Sequence, residues 1–408
     1  MSCRIEDYAM IGDCQTAALV GIDGSVDWLC LPRFDSGACF ASLLGDADDG
    51  HWRISPVQPV VATRRQYRGD TLVLETEFET ESGVVAVIDF MPPRTDELDL
   101  IRIVEGREGQ VDMEMSLRLR FDYGSVVPWV RAMEGGVIAT AGPDTVVLRT
   151  DVELSGKELS TVARFEVREG ERYTFDLTWA PTYDQIPPGK ECLAALRETE
   201  AWWNEWSVRC QYQGEWRDAV MRSLITLKAL TYAPTGGVVA SATTSLPERI
   251  GGVRNWDYRY CWIRDATFTL FSLMVGGYIE EASEWREWLI HSVAGSPEVL
   301  QIMYGLAGER RLTELEVPWL SGYEGSQPVR IGNAAVDQRQ TDVLGQVMVA
   351  LEQGRDAGLE EDCDSWSLQR ELVEALARNW SEPDHGLWEI RAGRRHFTHS
   401  RVMVWVAF

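Results

Sequence analysis

The chain has 408 residues, of which 45% are hydrophobic and 25% are charged, and its formal net charge is -25 at pH 7. This length predicts roughly two to three domains, because one domain usually has about 100–200 residues. The negative charge argues against nucleic acid or an anionic membrane surface as a partner, since both would repel the chain. A neutral ligand is the natural complement, and the 17 Trp residues fit a protein that stacks on rings.

The start of the chain and its cysteines bear on location and metal binding. Residues 1–7 show no apolar segment behind a basic start, so they are not typical of a secretory signal. No run approaches the ~18 apolar residues of a membrane helix. The cysteines form no Cys-x-x-Cys pair and have no nearby His at metal spacing; they are Cys3, Cys14, Cys30, Cys39, Cys192, Cys210, Cys261 and Cys363. We therefore predict a cytoplasmic protein with reduced thiols and with neither a metal nor a cofactor.

The first part of the chain, from Ile11 to about Trp179, has the pattern of β-strands. Short apolar or alternating runs are separated by turn signals such as Asp23-Gly24-Ser25. The runs are Ala17–Val20, Val26–Cys30, Leu72–Phe78, Val84–Phe90, Ile101–Val104, Met113–Leu119, Val137–Thr140, Thr145–Leu148, Val162–Val167 and Tyr173–Trp179. Many short strands with no helical pattern between them predict an antiparallel β-sandwich, which we place at residues 1–186.

Pro187-Pro188-Gly189 marks a boundary after which the apolar period becomes helical. We assign residues 187–212 to a linker helix region and residues 213–408 to a helical domain. The predicted helices are Glu191–Ser207, Glu215–Tyr232, Ala266–Val275, Glu280–Ser292, Asp342–Glu352 and Ser365–Trp380. Long loops rich in Gly, Pro and aromatic residues join them, which favours an α-barrel or toroid whose loop ends carry the site.

The last segment, Thr398 to Phe408, ends inside an apolar run without a Gly, an Asn or a basic last turn. Such an ending is unusual for a natural terminus. We therefore expect the 408 residues to be a fragment in which the helical domain is incomplete.

The most informative stretch runs from Gly251 to Asp265, where aromatic residues alternate with charged ones. A pyranose ring places its C–H faces against aromatic rings, while its hydroxyls need donors and acceptors such as Arg and Asp supply. The stretch therefore indicates a sugar-binding segment. The alternative is a structural loop with aromatic core residues and an Arg–Asp ion pair.

A second stretch, Asp384 to Ser400, places Glu389 beside Trp388 on a loop. Burial of a carboxyl beside an indole disfavours its charged form and raises its pKa, as a general acid requires near neutral pH. Arg391 and Arg394 would lower that pKa, and the sequence leaves the sign open. The alternative is a surface Glu paired with one of these arginines.

A third stretch, Trp319 to Asp342, offers rings, amides and charges before a predicted helix, which suits a substrate-facing loop. The alternative is a polar connection with Asp342 as a helix N-cap. The spacing of His385, His396 and His399 matches no zinc or iron signature, which favours hydrogen-bonding roles. No Gly-rich phosphate loop and no Gly-x-Ser-x-Gly motif supports nucleotide or acyl-transfer chemistry.

Taken together, these motifs resemble glycoside hydrolase family 15, which comprises glucoamylases, glucodextranases and bacterial-type trehalases. Ile5–Ala9 and Gly24–Ser36 look like the start of the trehalase-like members. Pro247–Asp265 is similar to the family's glucose-binding segment, and Gly386-Leu387-Trp388-Glu389 to its acid-catalyst motif. The resemblance covers essentially the whole chain.

The resemblance implies a β-sandwich followed by an (α/α)6 toroid, and hydrolysis of α-glucosides from the non-reducing end with inversion. Glu389 would be the general acid, and Arg264 and Asp265 would bind hydroxyls of the terminal glucose. The remaining residues expected to contact the sugar are Tyr258, Trp262, Trp388, Gln340 and Asp342. Inversion needs a second carboxylate roughly 6.5–9.5 Å from the acid. The family's late Glu would supply it, and we expect that residue to lie outside this chain. The alternative function is a non-catalytic carbohydrate-binding or sensing protein.

Overall fold

The computed structural model describes residues 3–293, 300–360 and 363–408. The chain divides into two compact units. The sheet unit comprises Met1–Val208, Ser245–Asn255 and Val317–Val329. The helical unit comprises Arg209–Thr244, Trp256–Glu316 and Arg330–Phe408. The predicted domain limits at residues 186 and 212 stay predictions.

The sheet unit is built on one antiparallel sheet system of 15 strands within the described residues. Its strands are β1 (Tyr8–Gly12), β2 (Ala17–Gly21), β3 (Ser25–Cys30), β4 (Ala38–Phe40), β5 (His51–Pro56), β6 (Val60–Tyr67), β7 (Leu74–Thr80), β8 (Gly83–Phe90), β9 (Leu98–Arg118), β10 (Trp129–Met133), β11 (Gly136–Ala141), β12 (Asp144–Thr150), β13 (Ser155–Lys157), β14 (Ser160–Arg168) and β15 (Arg172–Pro181). The predicted antiparallel β architecture is confirmed.

Strand β9 is the longest of these strands, and each of its halves pairs with a different group of strands. Its first half pairs with β8 and β15, and its second half pairs with β5 and β14. Apolar side chains from both groups form one buried core, which includes Trp52 and Phe78. The runs Ile101–Val104 and Met113–Leu119 were predicted as separate strands, and both lie in β9 except for Leu119, which follows its end. The exposed polar residues between them hide the continuity in the sequence.

Six strands of this sheet system were not predicted. Strands β1, β4 and β5 are mostly buried, whereas β6, β10 and β13 contain no buried residue. Strand β6 carries charged and polar residues on both faces, and all five residues of β10 are exposed. Both strands are held by backbone pairing, β6 to β7 and β10 to β11. Because hydrophobic alternation reports burial, it gives no signal for a strand that buries little.

The α-helices of the described residues are α1 (Cys192–Ser207), α2 (Arg217–Ala229), α3 (Ile263–Gly276), α4 (Ile279–Val293), α5 (Asp342–Asp356), α6 (Cys363–Asn379) and α7 (Thr398–Ala407). Each predicted helix is present, with ends shifted by a few residues. Helix α1 belongs to the sheet unit. Its N-cap is Glu191, whose carboxylate accepts hydrogen bonds from the backbone of Leu193 and Ala194.

In the helical unit, α5 packs against both α3 and α7. The contact with α7 is close because a Cβ atom on Gly345 would lie 2.2 Å from the carbonyl oxygen of Met403. Short strands line the loops of this part of the chain. They are β16 (Thr231–Tyr232), β17 (Gly237–Val238), β18 (Thr244–Pro247), β19 (Asn255–Asp257), β20 (Cys261–Trp262), β21 (Met303–Tyr304), β22 (Leu315–Glu316) and β23 (Arg330–Ile331).

Candidate functional site

The acid loop, which we define as residues 384–391, follows α6 and carries Glu389 in the helical unit. Gly386 and Glu389 both have left-handed backbones, with φ values of 69° and 54°. The Glu389 N–H donates to the Gly386 carbonyl oxygen at 3.2 Å, which closes a tight turn. A left-handed backbone at a residue other than glycine is uncommon, and such strain clusters at functional sites.

Arg264, near the start of α3, connects the acid loop to Asp265. Its Nη1 and Nη2 atoms each donate to Oε1 of Glu389 at 3.2 Å. Nη1 also donates to the Leu387 carbonyl oxygen at 3.0 Å, and Nη2 donates to Oδ2 of Asp265 at 3.1 Å. The structure therefore brings together the three charged residues that the sequence singled out from two distant segments.

The pKa of the Glu389 carboxyl is raised above its ordinary value. Burial is the largest cause, because it disfavours the charged form. The Arg264 guanidinium opposes it most strongly, and Arg391 opposes it less. The sign that the sequence left open is thus upward, since burial outweighs the nearby arginines.

The aromatic residues of the predicted site differ in exposure. The ring centres of Tyr258 and Trp262 lie 5.8 Å apart, and the Arg264 guanidinium lies 5.5 Å from the Trp262 ring. Trp262 is buried, whereas Trp388 is 77% exposed. The Trp388 indole is therefore largely open to solvent and accessible to a ligand.

Gln340 and Asp342 are both buried at the start of α5. Oδ2 of Asp342 accepts a hydrogen bond from Gln346 at 3.2 Å and lies 3.7 Å from Nε2 of His399. Burial raises the pKa of the Asp342 carboxyl, and His399 opposes that shift. The Asp342 carboxyl thus contacts its own helix and α7, and its sugar contact stays a prediction, as does that of Gln340.

Other charged residues of the Gly251–Asp265 stretch have structural partners. Asp257 and Arg259 form a fully buried ion pair at 2.7 Å, and the Gly332 N–H donates to Asp257 at 3.1 Å. The guanidinium groups of Arg330 and Arg391 lie 4.6 Å and 4.3 Å from the ring centre of Trp256. The contacts of these residues therefore fit the alternative considered from the sequence, a structural loop with an Arg–Asp ion pair.

Gln338 and Asp384 hold the acid loop, and neither was predicted. The Gln338 side chain donates to the Glu389 carbonyl oxygen at 3.2 Å. The buried Asp384 carboxylate accepts from the N–H and the hydroxyl of Thr341 at 3.0 Å and 2.6 Å, and from the Gly386 N–H at 3.2 Å. In the sequence, an Asp after Pro383 is typical of an ordinary turn, so it gives no sign of a link to Thr341.

The three late histidines each contact a neighbouring side chain or backbone group. His385 accepts from the Arg339 N–H at 3.1 Å, and His396 lies 2.6 Å from an Arg401 nitrogen. Across the described residues, no three or more His, Cys, Asp or Glu side chains are grouped to hold a metal ion. In the same part of the chain, no helix has the length and apolar character needed to cross a bilayer.

Two family models match the chain. The model for glycosyl hydrolases family 15 matches residues 214–408, which include every predicted site residue. The model for the trehalase-like N-terminal region matches residues 1–172.

Curated trehalases are similar to the whole chain. A trehalase of Mycolicibacterium smegmatis is 37% identical over 434 residues, which cover 99% of this chain and 65% of the relative. A trehalase of Mycobacterium tuberculosis is 36% identical, with 99% and 64% covered. Trehalase 1 of Sulfolobus acidocaldarius is 31% identical, with 99% and 70% covered. The chain thus spans about two thirds of the length of these relatives.

A solved structure shows the same fold. The structure of a bacterial glucoamylase complexed with acarbose superposes with a TM-score of 0.61 at 10% identity, covering 93% of this chain and 58% of the glucoamylase chain. This likeness confirms the glucoamylase-like architecture of a β domain followed by a helical region. From these similarities and the whole-chain match to the trehalases, the chain belongs to glycosyl hydrolases family 15.

Proposed function

We propose that the protein hydrolyses the α-glucosidic bond of a terminal glucose with inversion, and that Glu389 is its general acid. The observation that carries this proposal is the contact of one guanidinium, that of Arg264, with both Glu389 and Asp265. One neighbourhood thereby offers a proton donor and two groups suited to sugar hydroxyls. The exposed Trp388 indole adds a flat face for the sugar ring.

The electrostatics of Glu389 suit an acid that gives its proton to the leaving glycosidic oxygen. Burial raises the pKa of the carboxyl, so a larger fraction is protonated near neutral pH than for an ordinary Glu. Arg264 restrains that rise and favours the carboxylate once the proton has left. The same guanidinium would then hold the acid in place and bind a hydroxyl of the glucose.

Inversion also requires a base carboxylate that activates water on the opposite face of the sugar, roughly 6.5–9.5 Å from the acid. We propose that a carboxylate outside these 408 residues supplies it. The greater length of the similar trehalases supports this proposal.

For the substrate we propose α,α-trehalose before maltose or other α-glucans. The trehalase names of the curated relatives support this order. Both classes of substrate present the same terminal glucose and differ in the group that occupies the next subsite. Action in the cytoplasm stays a prediction from the sequence.

A glucose-release assay on trehalose and maltose tests the proposal with the 408-residue chain and with the full-length protein that its source encodes. We expect turnover of trehalose by the full-length protein and none by the 408-residue chain. Equal activity of both would refute the proposed position of the base. Tight glucoside binding without turnover by the full-length protein would favour the non-catalytic carbohydrate-binding alternative.

A further inference from the structure

A groove of about 430 Å³ opens in the sheet unit, and it contains none of the predicted site residues. Its volume lies in the range of about 300–1,000 Å³ that is usual for small-molecule sites. Much of its lining is apolar and comes from β9 (Leu117), β10 (Val130 and Ala132), β11 (Val137) and the segment before β13 (Leu154). Such a wall favours the apolar body of a ligand.

Arg120 supplies a buried positive charge to this groove. The residue is 6% exposed, and Nη1 donates to the Leu119 carbonyl oxygen at 2.7 Å. Within the described residues, its guanidinium makes no other hydrogen bond and no ion pair. A buried charge without a partner costs free energy, so buried arginines are usually paired with carboxylates. Burial and the neighbouring Arg118 lower the pKa of Arg120, and the nearby Asp49 carboxylate opposes this shift less strongly.

The β13–β14 hairpin, which lines one side of the groove, has an unusual turn. Its two central residues, Glu158 and Leu159, have φ values of 49° and 61°. Turns of this kind normally use Asn-Gly, because other residues are strained in the left-handed region. Arg118 holds the hairpin by donating to the Ser160 hydroxyl at 2.8 Å and to the Glu158 carbonyl oxygen at 2.9 Å. Strain of this kind is found at ligand clamps.

We propose that the groove binds a small amphipathic anion, an organic carboxylate whose apolar body lies along Val130 and Val137 and whose carboxylate accepts hydrogen bonds from Arg120. Lys157 at the rim adds a second positive charge, whereas the Glu158 side chain there adds a negative one. The balance favours a ligand with a single negative charge over a phosphate-like dianion. The partly exposed valines of the wall, such as Val130 at 49%, would be covered by its apolar body.

Octanoate is a suitable probe. The control compounds are 1-octanol, which has the apolar chain without the charge, and inorganic phosphate, which has the charge without the chain. Calorimetric titration of the 408-residue chain should give saturable binding of octanoate that is at least about tenfold tighter than that of either control compound. Methyl NMR signals of Val130 and Val137 should shift on addition of octanoate. Equal affinity for octanol, equal affinity for phosphate, or no saturable binding of octanoate would overturn the proposal.

Variants of Arg120 isolate the role of the charge. We expect Arg120→Gln to weaken octanoate about tenfold or more, because it removes a charge-assisted hydrogen bond, and to leave octanol binding unchanged. Arg120→Lys keeps the cation and should retain most of the affinity. Arg131→Gln is the matched control, because Arg131 lies on β10 between the lining residues Val130 and Ala132 but does not line the groove. Unchanged octanoate affinity in a folded Arg120→Gln variant would contradict the role of Arg120 in binding the carboxylate. If that variant does not fold, the wild-type titrations with octanoate, 1-octanol and phosphate test the proposal.

Discussion

The Arg264 guanidinium reaches Oε1 of Glu389 with both terminal nitrogens, each at 3.2 Å. The two residues are 125 positions apart in the chain, on the first turn of α3 and on the acid loop. One consequence is that Arg264 sets the position of the carboxyl and also restrains its pKa.

Replacing Arg264 with Gln should move the alkaline limb of the pH profile of kcat/KM to higher pH. Arg264 lowers the pKa of Glu389, so its removal lets burial raise that pKa further. Because the acid must be protonated, the limb of kcat/KM should shift to higher pH. The overall rate should fall about 10²-fold or more as sugar contacts are lost. The measurement is the pH profile of glucose release by the full-length protein.

A control for that profile is Arg394→Gln, since Arg394 is exposed and lies close to Glu389 in sequence. This variant should keep the wild-type limb. An unshifted limb in Arg264→Gln would show that the titrating group is not Glu389.

Asp384→Asn should loosen the acid loop. Asp384 accepts three hydrogen bonds from Thr341 and Gly386. Because the substitution replaces one carboxylate oxygen with an amide group that donates, at least one of these bonds is lost. We expect a loss of about 1–3 kcal/mol in the free energy of unfolding. Chemical denaturation measures it, with the exposed Asp364→Asn on α6 as control. A variant as stable as the wild type would contradict the role of Asp384 in joining the acid loop to Thr341.

Gly345→Ala should destabilise the helical unit. The added Cβ atom would lie 2.2 Å from the Met403 carbonyl oxygen, so α5 and α7 must move apart. Overpacking of this kind costs about 1–3 kcal/mol. Thermal unfolding should show a lower midpoint than that of Gly393→Ala, where a Cβ atom meets no atom within 4 Å. Equal midpoints would show that the helices adapt without cost.

The sheet unit should lose stability as the pH rises through about 6. Burial, followed by the neighbouring Asp99, raises the pKa of Asp176 from 3.8 to about 6. The folded chain therefore binds this proton more tightly than the unfolded chain does, so the contribution is complete below about pH 4 and is lost as Asp176 ionises.

Denaturation of the wild type and of Asp176→Asn between pH 4 and pH 7 measures this contribution, with the variant lacking the step. A difference in stability that stays constant across this range would contradict the raised pKa.

The sequence predicts most of the fold because burial leaves a periodic signal. Strands such as β7 and helices such as α5 bury one face and show the expected spacing. The edge strand β10 buries no residue and is not visible in the pattern. The junction within β9 is also hidden, because exposed polar residues separate its two apolar halves.

The candidate site is predicted in part for a comparable reason. Arg264 and Glu389 belong to recognisable motifs, so a resemblance finds them. Gln338 and Asp384 act through hydrogen bonds to backbone groups of segments that are distant in sequence. No local sequence pattern reports such contacts. The burial of Asp342 and the exposure of Trp388 likewise depend on packing between helices and loops, which single residues do not reveal.

The most direct test of the account is the rate of trehalose hydrolysis by Glu389→Gln in the full-length protein, compared with Glu374→Gln on the exposed face of α6. The account predicts that Glu389→Gln lowers kcat by about 10²–10⁴-fold with little change in glucose binding, and that Glu374→Gln keeps the wild-type rate. A Glu389→Gln variant that hydrolyses trehalose at the wild-type rate would contradict the assignment of Glu389 as the general acid.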